Sequence, residues 1–219
     1  MPKTNLGLVE YCKSQLGLPY WWGTFGQKAT KGLLRQKSAQ YPAYYKDDDF
    51  KRQYGKRVHD CVGLIKGYMW CDTPTSTPKY NVAQDKNVSG MLNACSKYGY
   101  IETMPDIKGI LVFMSGHVGI YVGNGKVIEA RGHEHGVVET NLTDREWTKW
   151  GMLDWIDYVD EKVIEMFKDG DELKALDYLV ETGRVDKDKQ EYWKNSTEIV
   201  NHQKWIFIEW ANDVKALLN

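Results

Sequence analysis

Residues 116–130 read GHVGIYVGNGKVIEA, and this stretch predicts a β-hairpin. Apolar side chains recur at alternate positions in its first half, as in a strand with one buried face. The GNG sequence at residues 123–125 is typical of a tight hairpin turn. A count about that turn places His117 opposite Arg131, with Glu129 two positions away. Given a bulge or an offset turn, His117 and Glu129 lie within diagonal reach across the two strands.

More strands are predicted on both sides of this hairpin. The apolar run GILVFM at residues 109–114 precedes it, and VVET at residues 137–140 follows it. Residues 150–158 could close the sheet. Because consecutive strands are joined by short connections, the pattern favours an antiparallel meander.

Helical periodicity dominates the first half of the chain. Residues 5–16 carry apolar side chains at helical spacing, and Gly17 stands where a helix often ends. A second helix is predicted from Cys61 through residue 69, and a short third one over residues 89–98. Helices followed by an antiparallel sheet indicate an α+β fold.

Two further segments have a different character. Residues 24–58 are polar with little periodicity, which predicts a long functional loop or a short helical insertion. From residue 159 onward, apolar side chains recur at helical spacing and predict a small C-terminal helical appendage. We therefore expect an α+β domain at residues 1–158 and a helical segment at residues 159–219.

Composition limits the classes of function. The 219 residues carry a net charge of −1, which argues against nucleic acid as a partner. The apolar runs are shorter than a membrane span requires, and the N-terminus lacks the apolar core of a signal peptide. No cofactor motif stands out. The two histidines of the pair His133 and His135 lack an evident third ligand, so no metal site is predicted.

The four cysteines are predicted to be reduced thiols, since their spacing fits neither a disulfide scaffold nor a CxxC metal pair. Cys61 is special because it begins a helix, where N–H groups and the helix dipole favour a thiolate. Thiol catalysis also needs a base and a group that orients the base. His117 and Glu129 are the candidates, with His133 as a rival to Glu129. A lone helical cysteine is, however, more often a small core residue.

Three motifs together resemble the NlpC/P60 family of cysteine peptidases. Residues 8–23, LVEYCKSQLGLPYWWG, are similar to the opening helix and aromatic turn of that family. Residues 60–65, DCVGLI, resemble its nucleophile motif, and residues 116–130 resemble its histidine hairpin. The motifs occur in the family's order, and the resemblance covers roughly residues 5–158.

The resemblance implies a papain-like core in which Cys61 is the nucleophile and His117 the base. Glu129 falls where the family has its third polar residue, which is most often histidine. The backbone N–H of Cys61, with help from Tyr20, would form the oxyanion hole. Asp60 would bind the free amine of a trimmed stem peptide, or it would merely cap the catalytic helix. Both roles of Asp60 stay open.

The activity implied by the resemblance is hydrolysis of bacterial peptidoglycan at the bond between γ-D-glutamate and the diamino acid. Two departures bear on substrate contacts: Val62 replaces the serine that usually follows the nucleophile, and the segment at residues 24–58 is longer than the family's. Two other readings remain open. One is an amidase of the related CHAP type, and the other is a wall-binding module with a vestigial site.

We expect the protein to act on the cell wall. Without a visible signal peptide it would be a phage lysin or leave the cell by another route. The C-terminal helices could hold the enzyme on the wall, form a homodimer, or pack on the catalytic domain.

Overall fold

The predicted hairpin is present in the computed structural model as β5 (His117–Gly123) and β6 (Lys126–Ala130). Ile120 pairs with Ile128, and the register shifts by one residue close to the turn. Asn124 in the turn has a φ of 52°, a left-handed conformation that asparagine tolerates. This register sets Glu129 opposite residue 119, as the count about the turn predicts.

The hairpin belongs to a six-stranded antiparallel sheet. Its other strands are β3 (Cys95–Tyr100), β4 (Leu111–Met114), β7 (Val137–Asn141) and β8 (Lys149–Leu153). The strand order is β3-β8-β4-β5-β6-β7. The strand predicted last in the chain, β8, therefore lies inside the sheet between β3 and β4 and not at an edge. The predicted α+β class is confirmed.

Two helices pack on one face of the sheet. They are α1 (Asn5–Ser14) and α3 (Cys61–Trp70), and Thr4 and Asp60 cap their N-termini. Burial of apolar side chains between helices and sheet drives this packing. The shared core contains Leu8, Val9, Leu64, Ile65, Val118, Ile120, Ile128 and Leu153.

The expectation of a helix over residues 89–98 was only half right. The helix α4 spans Val88–Asn93 and ends there, and the chain continues as strand β3. The backbone of β3 pairs with β8, about fifty residues later in the chain. Such long-range pairing overrides a weak local preference for helix.

The insertion at residues 24–58 contains defined secondary structure, including a short helix, which was one of the two predicted alternatives. Strands β1 (Phe25–Lys28) and β2 (Arg57–His59) pair as an antiparallel ribbon, and α2 (Lys31–Gln40) lies between them in the chain. Two 3₁₀ turns complete it, Pro42–Tyr44 and Asp48–Gln53. Ala29, Phe50 and Val58 of the insertion pack with Trp21, which precedes it, in a small separate core.

The structure describes residues 3–46, 48–159 and 161–162. Lys3–Tyr158 form one compact unit. The predicted C-terminal helices and their pairing in a dimer lie outside the described residues, so the boundary at residue 158 stays a prediction. No helix in the described part of the chain is long and apolar enough to cross a membrane.

Gly63 allows the insertion to approach the helix that begins with Cys61. A Cβ atom at residue 63 would lie 1.8 Å from the carbonyl oxygen of Thr24 and 2.8 Å from Oδ1 of Asp60. We expect Gly63→Ala to lower the free energy of unfolding by about 3 kcal/mol, because overpacking against backbone is not easily relieved. Urea denaturation followed by tryptophan fluorescence measures the change.

Gly32→Ala is the matched control, since a Cβ there would meet only Oγ1 of Thr30, at 3.8 Å. It should leave stability unchanged or raise it by about 0.5 kcal/mol. Equal stability of the two variants would contradict this account of Gly63.

Candidate active site

Cys61 is the first residue of α3 and its side chain is buried. Burial raises the pKa of its thiol to about 12, and the neighbouring Asp60 carboxylate adds to this rise. Backbone N–H groups of Cys61, Val62 and Val118 interact with the thiol and lower its pKa. The thiolate stabilisation expected at a helix N-terminus is therefore present, but loss of hydration outweighs it. At neutral pH the thiol needs a base to lose its proton.

His117, the first residue of β5, forms a short hydrogen bond with a carboxylate. Its Nε2 lies 2.6 Å from Oε2 of Glu129. An ionised carboxylate can only accept, so Nε2–H donates and Nδ1 is left as the proton acceptor of the ring. The ring of Trp147 stacks on the imidazole, with centroids 5.8 Å apart. The contact predicted from the hairpin register is thus present.

Glu129 is fully buried and held by two residues besides His117. Oγ1 of Thr140 donates to Oε1 over 3.0 Å, and Nη2 of Arg145 lies 3.6 Å from Oε2. Burial alone would raise the pKa of Glu129, but the hydrogen bond and charge of His117, with Thr140 and Arg145, more than offset this and lower it. The carboxylate therefore stays ionised and fixes the imidazole.

Sequence reasoning missed Thr140, Arg145 and Trp147. Thr140 pairs directly with Val127 on β6, two residues from Glu129 and on the same face of the sheet. The register of β6 against β7 depends on the loop between them, so the sequence carried no clear signal for this contact.

Cys61 and His117 are brought together through Val118. The Cys61 thiol interacts with the N–H of Val118, the residue after His117, and the side chains of Cys61 and Val118 both belong to the main core. The hydrogen bonds found among the described residues do not include one between Cys61 and the His117 ring. Gly116, just before His117, lines the same groove as Cys61. The imidazole and the thiol are thus held at one end of β5.

Asp60 caps α3, as one of the two open readings expected. Its Oδ1 accepts from the Gly63 N–H at 2.5 Å, and its Oδ2 accepts from the Gly23 N–H at 2.9 Å. Burial raises the pKa of Asp60 to about 6, although these N–H groups and Lys66 act in the opposite direction. The carboxylate also lines the groove, so the cap does not preclude a contact with substrate.

Tyr20 lies near the Asp60 carboxylate and the Cys61 thiol, since the charges of both act on its phenol. It forms an isolated parallel bridge with His59 and is largely buried. Burial, and then the charges of Asp60 and Cys61, raise the pKa of its phenol. The hydroxyl therefore stays protonated and can donate a hydrogen bond into the groove.

The groove in front of Cys61 has a volume of about 720 Å³. The insertion at residues 24–58 forms one wall of the groove, so the length of this segment affects the shape of the groove. Residues of β1 and α2 that line the groove include Phe25, Gln27, Gln36, Lys37 and Gln40, while Tyr80, Asp85, Lys86, Val88 and Ser89 line it from a later segment.

His133 does not take the place of Glu129. Its ring packs on Phe50, with centroids 4.3 Å apart, while His117 is bonded to Glu129. Within the described residues, no cluster of three or more histidine, cysteine, aspartate or glutamate side chains is arranged to hold a metal ion. All four cysteines are free thiols, as expected from their spacing.

A buried thiol at a helix N-terminus, next to a hairpin whose two strands carry a histidine and its carboxylate partner, is an arrangement typical of thiol hydrolases. Comparison with known proteins gives the family. A family profile described as NlpC/P60 matches residues 17–155. The chain belongs to the NlpC/P60 family, whose members are cysteine peptidases that act on cell-wall peptidoglycan.

Several solved structures are similar to this chain. The P60 domain of an antigen from M. avium subspecies paratuberculosis is 21% identical, with a TM-score of 0.44, over 70% of this chain and 96% of that one. The peptidoglycan hydrolase RipB from Mycobacterium tuberculosis is 20% identical, with a TM-score of 0.41, over 70% and 67%.

NlpC2 from Trichomonas vaginalis is 17% identical, with a TM-score of 0.43, over 72% of this chain and 48% of that one. The chain thus spans about half the length of that protein. No curated protein matches the sequence.

The raised pKa of Cys61 yields a test of its dependence on His117. In His117→Ala we expect alkylation of Cys61 by iodoacetamide at pH 7 to be about 100-fold slower than in the parent, the range that general-base assistance supplies. The rate in the variant should then rise about tenfold per pH unit up to pH 10, because only the thiolate reacts. Mass spectrometry of the Cys61 peptide follows the reaction.

Cys12 provides an internal control, because it is fully buried and burial raises its pKa as well. Its modification should be slow and the same in both proteins. Identical Cys61 rates in parent and variant would show that His117 does not assist this thiol.

Proposed function

We propose that this protein hydrolyses stem-peptide amide bonds of peptidoglycan, with Cys61 as nucleophile, His117 as base and Glu129 as the group that orients the base. The observation that carries the proposal is the 2.6 Å hydrogen bond from His117 to the fully buried Glu129, beside the strand residue whose N–H meets the Cys61 thiol. Burying an ionised carboxylate is unfavourable, even with the three partners His117, Thr140 and Arg145, and such groups are concentrated at functional sites.

The chemistry follows from these positions. His117 takes the proton of Cys61 through Nδ1, and Sγ attacks the carbonyl carbon of the peptide. Negative charge then develops on the carbonyl oxygen, where the Cys61 N–H and the Tyr20 hydroxyl can donate hydrogen bonds. The tetrahedral species collapses to a thioester as the amine leaves with the proton from His117. His117 then activates a water molecule that releases the acid and restores the thiol.

Glu129 supports both protonation states of His117 during this cycle. Its bond to Nε2 holds the tautomer in which Nδ1 accepts a proton. Once Nδ1 is protonated, the carboxylate stabilises the imidazolium by charge. Thr140 and Arg145 keep Glu129 ionised and in place, so glutamate can fill the position that is histidine in most of the family.

We propose that the bond cut is the one between γ-D-glutamate and the diamino acid, and that Asp60 recognises the free amine of the N-terminal residue. Asp60 lines the groove next to Cys61 while it caps α3. Each carboxylate oxygen accepts one backbone N–H and keeps a second lone pair for a substrate ammonium.

Incubation of the purified protein with peptidoglycan tests the proposed reaction. We expect the parent to release soluble fragments and Cys61→Ala to be slower by at least about 1,000-fold, because the nucleophile is lost. Mass spectrometry of the fragments identifies the bond: new γ-D-glutamyl carboxylates and diamino-acid amines are expected.

Cys95→Ala is the control, since Cys95 is also buried but lies outside the groove. It should retain full activity. Equal release of fragments by the parent and Cys61→Ala would exclude the thiol mechanism. Wall binding without any hydrolysis would instead favour a binding module. Cleavage of the amide bond that joins the stem peptide to the glycan would favour an amidase.

The pKa of Asp60 gives a separate test of amine recognition. Above about pH 6 the carboxylate is ionised and attracts an ammonium, whereas below that pH it is protonated and neutral. We compare kcat/KM for a stem peptide with a free amine and for its N-acetylated form. The ratio of the two should fall as pH decreases through about 6.

Taking this ratio cancels the pH dependence of the chemical step, because that step is the same for both peptides. Asp60→Asn should give a ratio that does not change with pH. A pH-independent ratio in the parent would mean that Asp60 serves only as a helix cap.

A further inference from the structure

Lys37 is a buried cation on the wall that the insertion contributes to the groove. Its side chain is only 7% exposed, yet it lines the groove together with Gln36 and Gln40 of the same helix. Its Nζ contacts the amide oxygen Oε1 of Gln40 at 3.3 Å and lies 5.6 Å from the centre of the Tyr41 ring. Neither partner carries a negative charge.

The other buried lysine of the groove, Lys66, is already neutralised. Its Nζ lies 2.6 Å from Oδ1 of Asp85. In the part of the chain that the structure describes, Lys37 has no carboxylate at salt-bridge distance. Asp60 and Asp85 act on it only from farther away, and burial lowers the pKa of Lys37 despite them. A buried ammonium without an anionic partner is unfavourable, so an anion in the groove would stabilise it.

We propose that Lys37 binds a free carboxylate of the stem peptide and thereby selects peptides that carry this charge near the bond to be cut. The inference rests on the proposed function and adds to it a feature of the substrate. A glutamate linked through its γ-carboxyl group keeps its α-carboxylate beside the γ-amide. When that α-carboxylate is converted to an amide, the charge disappears but the shape of the peptide hardly changes.

Lys37 and Asp60 would then recognise opposite charges in one groove. Both residues line this groove, and the charge of each acts on the pKa of the other. Because Lys37 belongs to α2 of the insertion, the long segment at residues 24–58 acquires a role in specificity. The alternative is that Lys37 only balances the buried charge of Asp60.

Binding measured without turnover distinguishes these roles. The protein is used as Cys61→Ala, alone and combined with Lys37→Gln, Lys37→Arg or Arg35→Gln. The ligands are the tripeptides L-Ala-γ-D-Glu-X and L-Ala-γ-D-isoglutaminyl-X, where X is L-lysine or meso-diaminopimelate. Isothermal titration calorimetry gives each Kd, and thermal unfolding checks that every variant is folded.

We expect Cys61→Ala alone to bind the carboxylate peptide about 10- to 100-fold more tightly than the amide peptide, as a charge-assisted hydrogen bond would provide. Lys37→Gln should abolish this preference and leave binding of the amide unchanged, while Lys37→Arg should restore most of it. Arg35→Gln removes a charge from the exposed side of the same helix and should change nothing.

Equal binding of the two peptides by Cys61→Ala alone would overturn the proposal, and this result does not depend on whether the Lys37 variants fold. Equal weakening of both ligands by Lys37→Gln would also overturn it and assign Lys37 to the support of Asp60. Because these measurements use a protein without its nucleophile, their outcome is independent of whether the parent hydrolyses peptidoglycan.

Discussion

The site depends on the carboxylate of Asp60, which joins two parts of the chain at one point. One oxygen accepts the N–H of Gly63 in the first turn of α3, and the other accepts the N–H of Gly23 in the aromatic turn. Burying this charge is unfavourable, as its raised pKa shows, and the two N–H groups recover part of the loss. The carboxylate thereby holds Cys61, Tyr20 and the start of the insertion in one arrangement.

The sheet carries the remaining residues of the site, His117 and Glu129, and its two faces pack against different parts of the chain. Val118, Ile120 and Ile128 point towards the helices and build the main core. The alternate residues, among them Val127, pack with Trp147 on the opposite face. Glu129 lies on that second face, fully buried, and its carboxylate is not among the groups that line the groove. It is joined to the Cys61 side of the site by its hydrogen bond with His117.

The insertion shapes the groove in front of Cys61. Its helix α2 and strand β1 line one side, and Ala29, Phe50 and Val58 pack with Trp21 to support them. Close packing of Gly63 against Thr24 fixes this wall directly against the catalytic helix. The segment at residues 24–58 therefore sets the shape of the groove beside Cys61.

The sequence by itself determined the features that depend on near neighbours in the chain. The period of two and the GNG turn predicted the hairpin and its register, and hence the contact of His117 with Glu129. The helical spacing after Cys61 predicted that this cysteine begins a helix, as it does in α3. Only the tertiary structure decided the strand over residues 95–100, the insertion of β8 inside the sheet, and the support of Glu129 by Thr140. It also decided that burial raises the pKa of Cys61. These features arise from contacts between residues that are distant in sequence, and local periodicity carries no information about them.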